Sequence, residues 1–99
     1  MNKLILAAGL GLLLAGCATG PTAIGARMDW GCDGGAAFSA RIMSNGAAEV
    51  FAGGQVYNLP RVEGASGARY SNGAVEYREH GGQATLSGAR GGPYNNCRR

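Results

Sequence analysis

The sequence predicts an all-β domain, a small antiparallel β-barrel of about eight strands stapled by one disulfide. Beyond residue 27 the apolar residues alternate with polar ones at a period of two, which is typical of half-buried strands. Turn signals recur every eight to twelve residues or so, and the chain of 99 residues contains 19 glycines. No helical periodicity is sustained over three turns. These observations are typical of a barrel or a sandwich, and a closed or nearly closed barrel is the simplest way to hide the edges of so small a sheet.

Residues 1–16 are predicted to be a lipoprotein signal peptide. Lys3 supplies the positive start, and the apolar run 4–14 is too short for a membrane span, which needs about 20 residues. The sequence Leu-Ala-Gly-Cys at 14–17 resembles the lipobox of bacterial lipoproteins. That resemblance implies acylation of Cys17, cleavage before it and a further acyl chain such as palmitate on the new amino terminus. The alternative is an ordinary secretory signal followed by an incidental cysteine.

Residues 17–27 are small and polar, and they are predicted to be a lipid-anchored tether before a domain at 28–99. Ala18, rather than aspartate, after the acylated cysteine favours the outer membrane by the enterobacterial sorting rule. We therefore expect a lipid-anchored protein of the bacterial cell envelope that faces the periplasm. The choice between inner and outer membrane stays open.

The strands are justified in chain order by alternation and by the turns between them. Asn-Gly at 45–46 is the strongest short hairpin signal, and Gly-Gly follows at 53–54 and 81–82. Pro60 limits the strand before it, because proline cannot donate to a ladder. The glycine-rich stretch 63–73 is predicted to be a connection. The strands predicted around these turns are 38–44, 47–51, 55–59, 74–79, 83–87 and 94–97.

Cysteine count predicts the staple. With Cys17 carrying lipid, Cys32 and Cys97 are the remaining pair in an oxidising compartment. A bridge between them closes nearly the whole domain and contributes roughly 4 kcal/mol in the chain-entropy description. Two cysteines and one histidine are too few ligands for a metal site, so neither a metal nor a cofactor is predicted.

Charge and composition exclude several function classes. After cleavage, eight arginines face six acidic residues, a net charge of +2, and no basic run predicts nucleic-acid binding. No serine, histidine and carboxylate stand in a catalytic arrangement, so the protein is not expected to be an enzyme.

Two motifs suggest a binding function. Ser66-Gly67-Ala68-Arg69-Tyr70 lies within the stretch EGASGARYSNG (63–73), and YREHGGQATL follows at 77–86. Taken alone, the first stretch is an ordinary hairpin connection. Exposed glycine-rich loops with a small hydroxyl residue are nevertheless where binding residues often lie on a rigid domain.

In this order, on a lipoprotein with flanking cysteines, the motifs resemble the MliC/PliC family of membrane-bound inhibitors of C-type lysozyme. The resemblance covers about residues 30–97. It implies an eight-stranded barrel that plugs the active-site cleft of lysozyme. It also implies that Ser66 enters the cleft and hydrogen-bonds to the catalytic carboxylates, with Gly67 allowing close approach and Tyr70 shaping the loop.

The second motif departs from the family at one position. The resemblance implies a lysine before Gly81, and this chain has His80 there. A histidine can donate to a carboxylate and makes that contact pH-dependent. Arg69, Tyr70, Tyr77 and the flanking loops are expected to widen the contact surface.

The charge balance leaves a second hypothesis open. C-type lysozymes are strongly basic, and a basic domain gains no long-range steering toward them unless its acidic residues share one face. The alternative function is a structural envelope lipoprotein that binds peptidoglycan or another envelope partner without inhibition. The acidic residues in question are Asp29, Asp33, Glu49, Glu63, Glu76 and Glu79.

Overall fold

The computed structural model describes residues 21–64 and 67–99, and these form an antiparallel sheet of nine strands with one short 3-10 turn at Asp33–Gly35. The predicted signal peptide, Cys17 and Ser66 lie outside the described residues. The all-β prediction is confirmed. The strands are β1 (Ala23–Gly31), β2 (Ala37–Met43), β3 (Ala48–Ala52), β4 (Gln55–Leu59), β5 (Arg61–Val62), β6 (Ala68–Ser71), β7 (Glu76–His80), β8 (Gln83–Ser87) and β9 (Tyr94–Arg98).

Glycine turns set the hairpins as predicted. Gly53 and Gly54 join β3 to β4 with φ of 56° and 78°, a conformation that favours glycine at both central positions. The Asn-Gly turn between β2 and β3 is wider than a two-residue hairpin. The amide of Gly46 donates to the carbonyl of Met43 at 2.9 Å, and Gly46 itself takes a φ of 89°.

The barrel closes through chain continuity at Pro60. The sheet order is β4-β3-β2-β1-β9-β8-β7-β6-β5, so its two edge strands, β4 and β5, are successive in the chain and separated by Pro60 alone. One bent segment therefore pairs with β3 before the proline and with β6 after it. Counted as one element, it reconciles the nine strands with the prediction of about eight.

The seam between β1 and β9 has little backbone pairing. Its register contains the single pair Gly31 and Arg98. Cys32 and Cys97 form their disulfide beside this pair, with Cα atoms 4.0 Å apart and 65 residues apart in sequence. The predicted staple is confirmed, and it joins the two strands where the ladder is weakest.

An aromatic cluster fills the barrel. The ring of Phe38 lies 6.4 Å from that of Trp30, 5.7 Å from that of Tyr77 and 5.5 Å from that of Tyr94. The buried apolar residues are Trp30, Phe38, Ala40, Ala48, Val50, Ala52, Leu59, Tyr70, Val75, Tyr77, Ala84, Leu86, Tyr94 and Cys97.

Two regions differ from the predicted elements. β1 begins at Ala23, inside the predicted tether, where residues 23–27 are exposed and carry no burial pattern. Pairing with β2, including Ile24 opposite Ile42, extends the strand there. In the stretch 63–73, β6 occupies Ala68–Ser71, because its arginine and tyrosine pair with β7. The connection predicted over eleven residues thereby shortens to 63–67, called the Ser66 segment from here on.

Candidate functional site

The two motifs meet at one end of the β6–β7 pair. Ala68 pairs with Glu79, so Gly67, the residue before Ala68, lies beside the end of β7. Gly67 has a φ of 73°, and a Cβ placed on it would lie 2.1 Å from the carbonyl oxygen of Glu79 and 3.2 Å from the Cβ of His80. Only glycine permits this approach, which brings the Ser66 segment against the second motif.

Arg69 holds the start of the Ser66 segment. Its Nη1 donates to the backbone carbonyl of Glu63 at 2.9 Å. Gly64 packs on the stem of the same side chain, because a Cβ there would lie 3.2 Å from the Cβ of Arg69 and 3.5 Å from the carbonyl oxygen of Gly67. The residues on either side of Ala65 and Ser66 are therefore close together and anchored.

Glu76 orders two arginines on the outer face of the sheet. Its carboxylate accepts from Nε of Arg69 at 3.0 Å and from Nη2 at 3.3 Å. Nε of Arg78, on its own strand, lies 2.7 Å from the same carboxylate. The hydrogen bonds of Arg69, followed by the charges of both guanidinium groups, lower the pKa of Glu76 although partial burial opposes them.

A groove of about 260 Å³ lies beside Gly64, at the start of the Ser66 segment. His80 is exposed on its wall, and Gly81 begins the turn that follows. Arg78, which neither motif indicated as a contact residue, lies on the same outer face of β7 as His80 because side chains alternate along the strand. The groove is lined by Gly64, Arg69, Arg78, Glu79, His80, Gln83, Ala84, Thr85 and Asn96.

The family model described as membrane-bound lysozyme-inhibitor of c-type lysozyme, MliC, matches residues 30–95. The chain belongs to the MliC family. The match runs from β1 into β9 and includes both motifs, so the predicted resemblance is confirmed. Comparisons with curated proteins and with solved structures return no match. MliC is a family of inhibitors rather than enzymes, and its description associates it with membranes and with c-type lysozyme.

The tyrosines of the two motifs, Tyr70 and Tyr77, lie in the core. Tyr77 is fully buried and Tyr70 is 5% exposed, with their rings stacked 5.6 Å apart. The contact surface expected from them is not at the surface of this barrel, because alternation turns both rings inward.

A chain of hydrogen bonds leads from Trp30 in the core to Glu79, at the end of the barrel where the two motifs meet. Nε1 of Trp30 donates to the hydroxyl of Tyr77 at 3.1 Å, and that hydroxyl donates to the carboxylate of Glu79. Burial, followed by this carboxylate, raises the pKa of Tyr77. The tyrosine therefore stays protonated and fixes the strand that supports Gly67.

The acidic residues do not share one face. Glu49 lies on β3, paired with Arg41 at 2.6 Å, whereas Glu76 and Glu79 lie on β7 and point to opposite sides of the sheet. Asp33 accepts from Asn96 at 2.7 Å.

Residues 21–64 and 67–99 contain no group of three histidine, cysteine or acidic side chains placed to hold a metal ion. No apolar helix long enough to cross a membrane occurs in those same residues.

Acid is expected to loosen the anchor at Glu76. Because folding lowers the pKa of Glu76, its stabilising effect is complete above the usual glutamate value of about 4.3 and is lost as pH falls through the lower folded value. We expect the wild type to exceed Glu76→Gln by about 0.5–1 kcal/mol in free energy of unfolding at pH 7, since the network is partly exposed. Urea titrations from pH 7 to pH 2 measure this difference, and a gap that persists undiminished at pH 2 contradicts the assignment.

Proposed function

We propose that this protein inhibits c-type lysozyme by inserting the Ser66 segment into the active-site cleft, where Ser66 hydrogen-bonds to the catalytic carboxylates. The observation that carries the proposal is the contact of Gly67 with Glu79 and His80. It brings both family motifs together at one end of the barrel, in a chain that belongs to a family of lysozyme inhibitors.

The chemistry of a serine suits this target. Lysozyme works with one protonated and one ionised carboxyl group, and a hydroxyl both donates and accepts hydrogen bonds. Gly64 and Gly67 have no side chains, so they add no bulk on either side of Ala65 and Ser66. Arg69 and the close contact of Gly67 hold its ends before binding, which reduces the entropy lost when the complex forms.

The serine alone does not account for tight inhibition. A neutral hydrogen bond contributes about 1 kcal/mol net, and one to a charged group about 1.5–3 kcal/mol. The exposed residues around the Ser66 segment supply the remaining surface in this proposal, with His80 in the position where the family resemblance implies lysine. Arg69 holds the start of the segment through its hydrogen bond to the carbonyl of Glu63.

The location proposed for the protein fits this role. Cys17, acylated after removal of residues 1–16, anchors it in the envelope, with the outer membrane facing the periplasm as the proposed site. Five residues separate Cys17 from the start of β1 at Ala23. At about 3.5 Å per residue they keep the barrel within roughly 20 Å of the lipid.

Ser66→Ala is expected to raise the inhibition constant about tenfold or more, because it removes a hydrogen bond to an ionised group. The measurement titrates the protein, purified in mild detergent, into a cell-wall lysis assay with c-type lysozyme. Ser87→Ala is the matched control, since Ser87 is an exposed serine at the other end of the β7–β8 hairpin.

The outcomes separate function from mechanism. A folded wild-type protein that leaves lysozyme fully active at micromolar excess contradicts the function. Retention by cell-wall sacculi but not by immobilised lysozyme would then favour the structural envelope role, which the net positive charge supports. Inhibition that survives Ser66→Ala unchanged contradicts insertion of the serine but leaves the function standing.

A further inference from the structure

The two arginines beside the Ser66 segment use their guanidinium groups differently. All three nitrogens of Arg69 donate within the chain, Nε and Nη2 to Glu76 and Nη1 to Glu63. Arg78 contacts Glu76 through Nε, and its Nη nitrogens have no hydrogen-bond partner among residues 21–64 and 67–99. The side chain of Arg78 is 61% exposed, against 37% for that of Arg69.

Arg78 also has the right position for a ligand. It lies on the same outer face of β7 as His80, two residues or about 7 Å along the strand, and both line the groove next to Gly64. A group of a bound protein that enters this groove beside Gly64 can therefore reach Arg78 without any movement of the sheet.

The bond to Glu76 prepares the free edge of Arg78. The carboxylate 2.7 Å from Nε restricts the rotation of a long side chain, so less entropy remains to be lost on binding. The edge that remains carries the two Nη groups side by side. A planar fork of this kind matches the two oxygens of a carboxylate.

We propose that Arg78 binds a carboxylate of the lysozyme cleft through its Nη edge, while Arg69 positions the Ser66 segment. The inference rests on the proposed inhibition of lysozyme and assigns to it a specificity-determining residue. Arg78 supplies a permanent positive charge beside His80, whereas the charge of a histidine depends on pH.

Three variants test this assignment by inhibition constant and by direct binding to c-type lysozyme. Arg78→Gln is expected to weaken both about tenfold or more, since hydrogen bonds to charged groups are the strong ones. Arg78→Lys keeps the charge without the fork and is expected to fall between the wild type and Arg78→Gln. Arg41→Gln is the matched control, because Arg41 is also paired through Nε with a glutamate but lies on β2.

The control separates contact from overall charge. Removing either arginine lowers the net charge equally, so any change in steering toward a basic enzyme appears in both glutamine variants. Arg41→Gln is expected to stay within about twofold of the wild type. Equal effects of Arg78→Gln and Arg41→Gln, in a protein that inhibits normally, overturn the assignment and leave the proposed function intact. A wild type that does not inhibit overturns both.

A lysozyme variant with one catalytic carboxyl group changed to its amide identifies the partner group. The loss caused by Arg78→Gln is expected to shrink to about twofold against the amide at the contacted carboxyl group, because the two changes then remove the same contact. An undiminished loss against both amide variants overturns the assignment of Arg78 to that pair of carboxyl groups.

Discussion

Gly67→Ala is expected to weaken inhibition on the order of 100-fold, the loss typical of a residue at the centre of an interface. The new Cβ would lie 2.1 Å from the carbonyl oxygen of Glu79, at a φ of 73° that side chains rarely adopt. The backbone at residue 67 must therefore move away from β7, and the preceding residue, Ser66, is expected to move with it. The lysozyme lysis assay measures the loss, and urea denaturation measures the accompanying loss of stability.

Gly88→Ala provides a matched control for that prediction. Gly88 has a φ of 82°, and a Cβ on it would lie 2.1 Å from the carbonyl oxygen of Ala74. The steric conflict is the same, but it falls near the start of β7, at the opposite end from Gly67. Both variants are expected to lose similar stability. Equal loss of inhibition by the two would mean that Gly67 acts through the stability of the barrel and does not position Ser66.

Removal of the disulfide is expected to lower the free energy of unfolding by about 4 kcal/mol. Cys32 and Cys97 close a loop with a sequence separation of 65. Without the bridge, the unfolded chain gains a large conformational entropy, which favours unfolding. The bridge also lies at the β1–β9 seam, where a single residue pair connects the strands. Since single domains are stable by about 5–15 kcal/mol, much of the stability of this domain depends on one bond.

Urea denaturation of a Cys32→Ser, Cys97→Ser double variant measures the effect. Wild-type protein in excess reductant serves as the control and is expected to unfold at the same urea concentration as the variant. A loss below about 1 kcal/mol would show that the core and the remaining ladders hold the seam without the bridge.

Local patterns predicted much of the barrel. The runs around Gly53-Gly54 and Gly81-Gly82 carry clear alternation and glycine pairs, and the boundaries of β4 and β8 agree with those predicted. The pattern fails where burial is absent. The first half of β1 is exposed throughout, and β5 has two residues, so neither shows an alternating signal. Backbone pairing with the next strand along the chain, β2 for β1 and β6 for β5, forms these elements.

The candidate site shows the same division. The motifs identified Gly67 and His80 from the sequence, and both lie where the two motifs meet. The roles of the charged and aromatic residues could not be predicted in this way. The sequence favoured Arg69 as a contact and left out Arg78, because nothing in the order of residues shows which guanidinium group is already occupied.

By itself the sequence determined the fold class, the glycine turns, the disulfide pair and the family. Each depends on residue identity or on local spacing. Alternation predicts the strands, and glycine pairs predict the turns between them. Tertiary structure alone decided the closure of the barrel at Pro60, the stacking of Tyr70 on Tyr77 and, among the described residues, the free Nη edge of Arg78. These depend on strand register, which brings together groups far apart in the chain, and on hydrogen bonds between side chains on neighbouring strands.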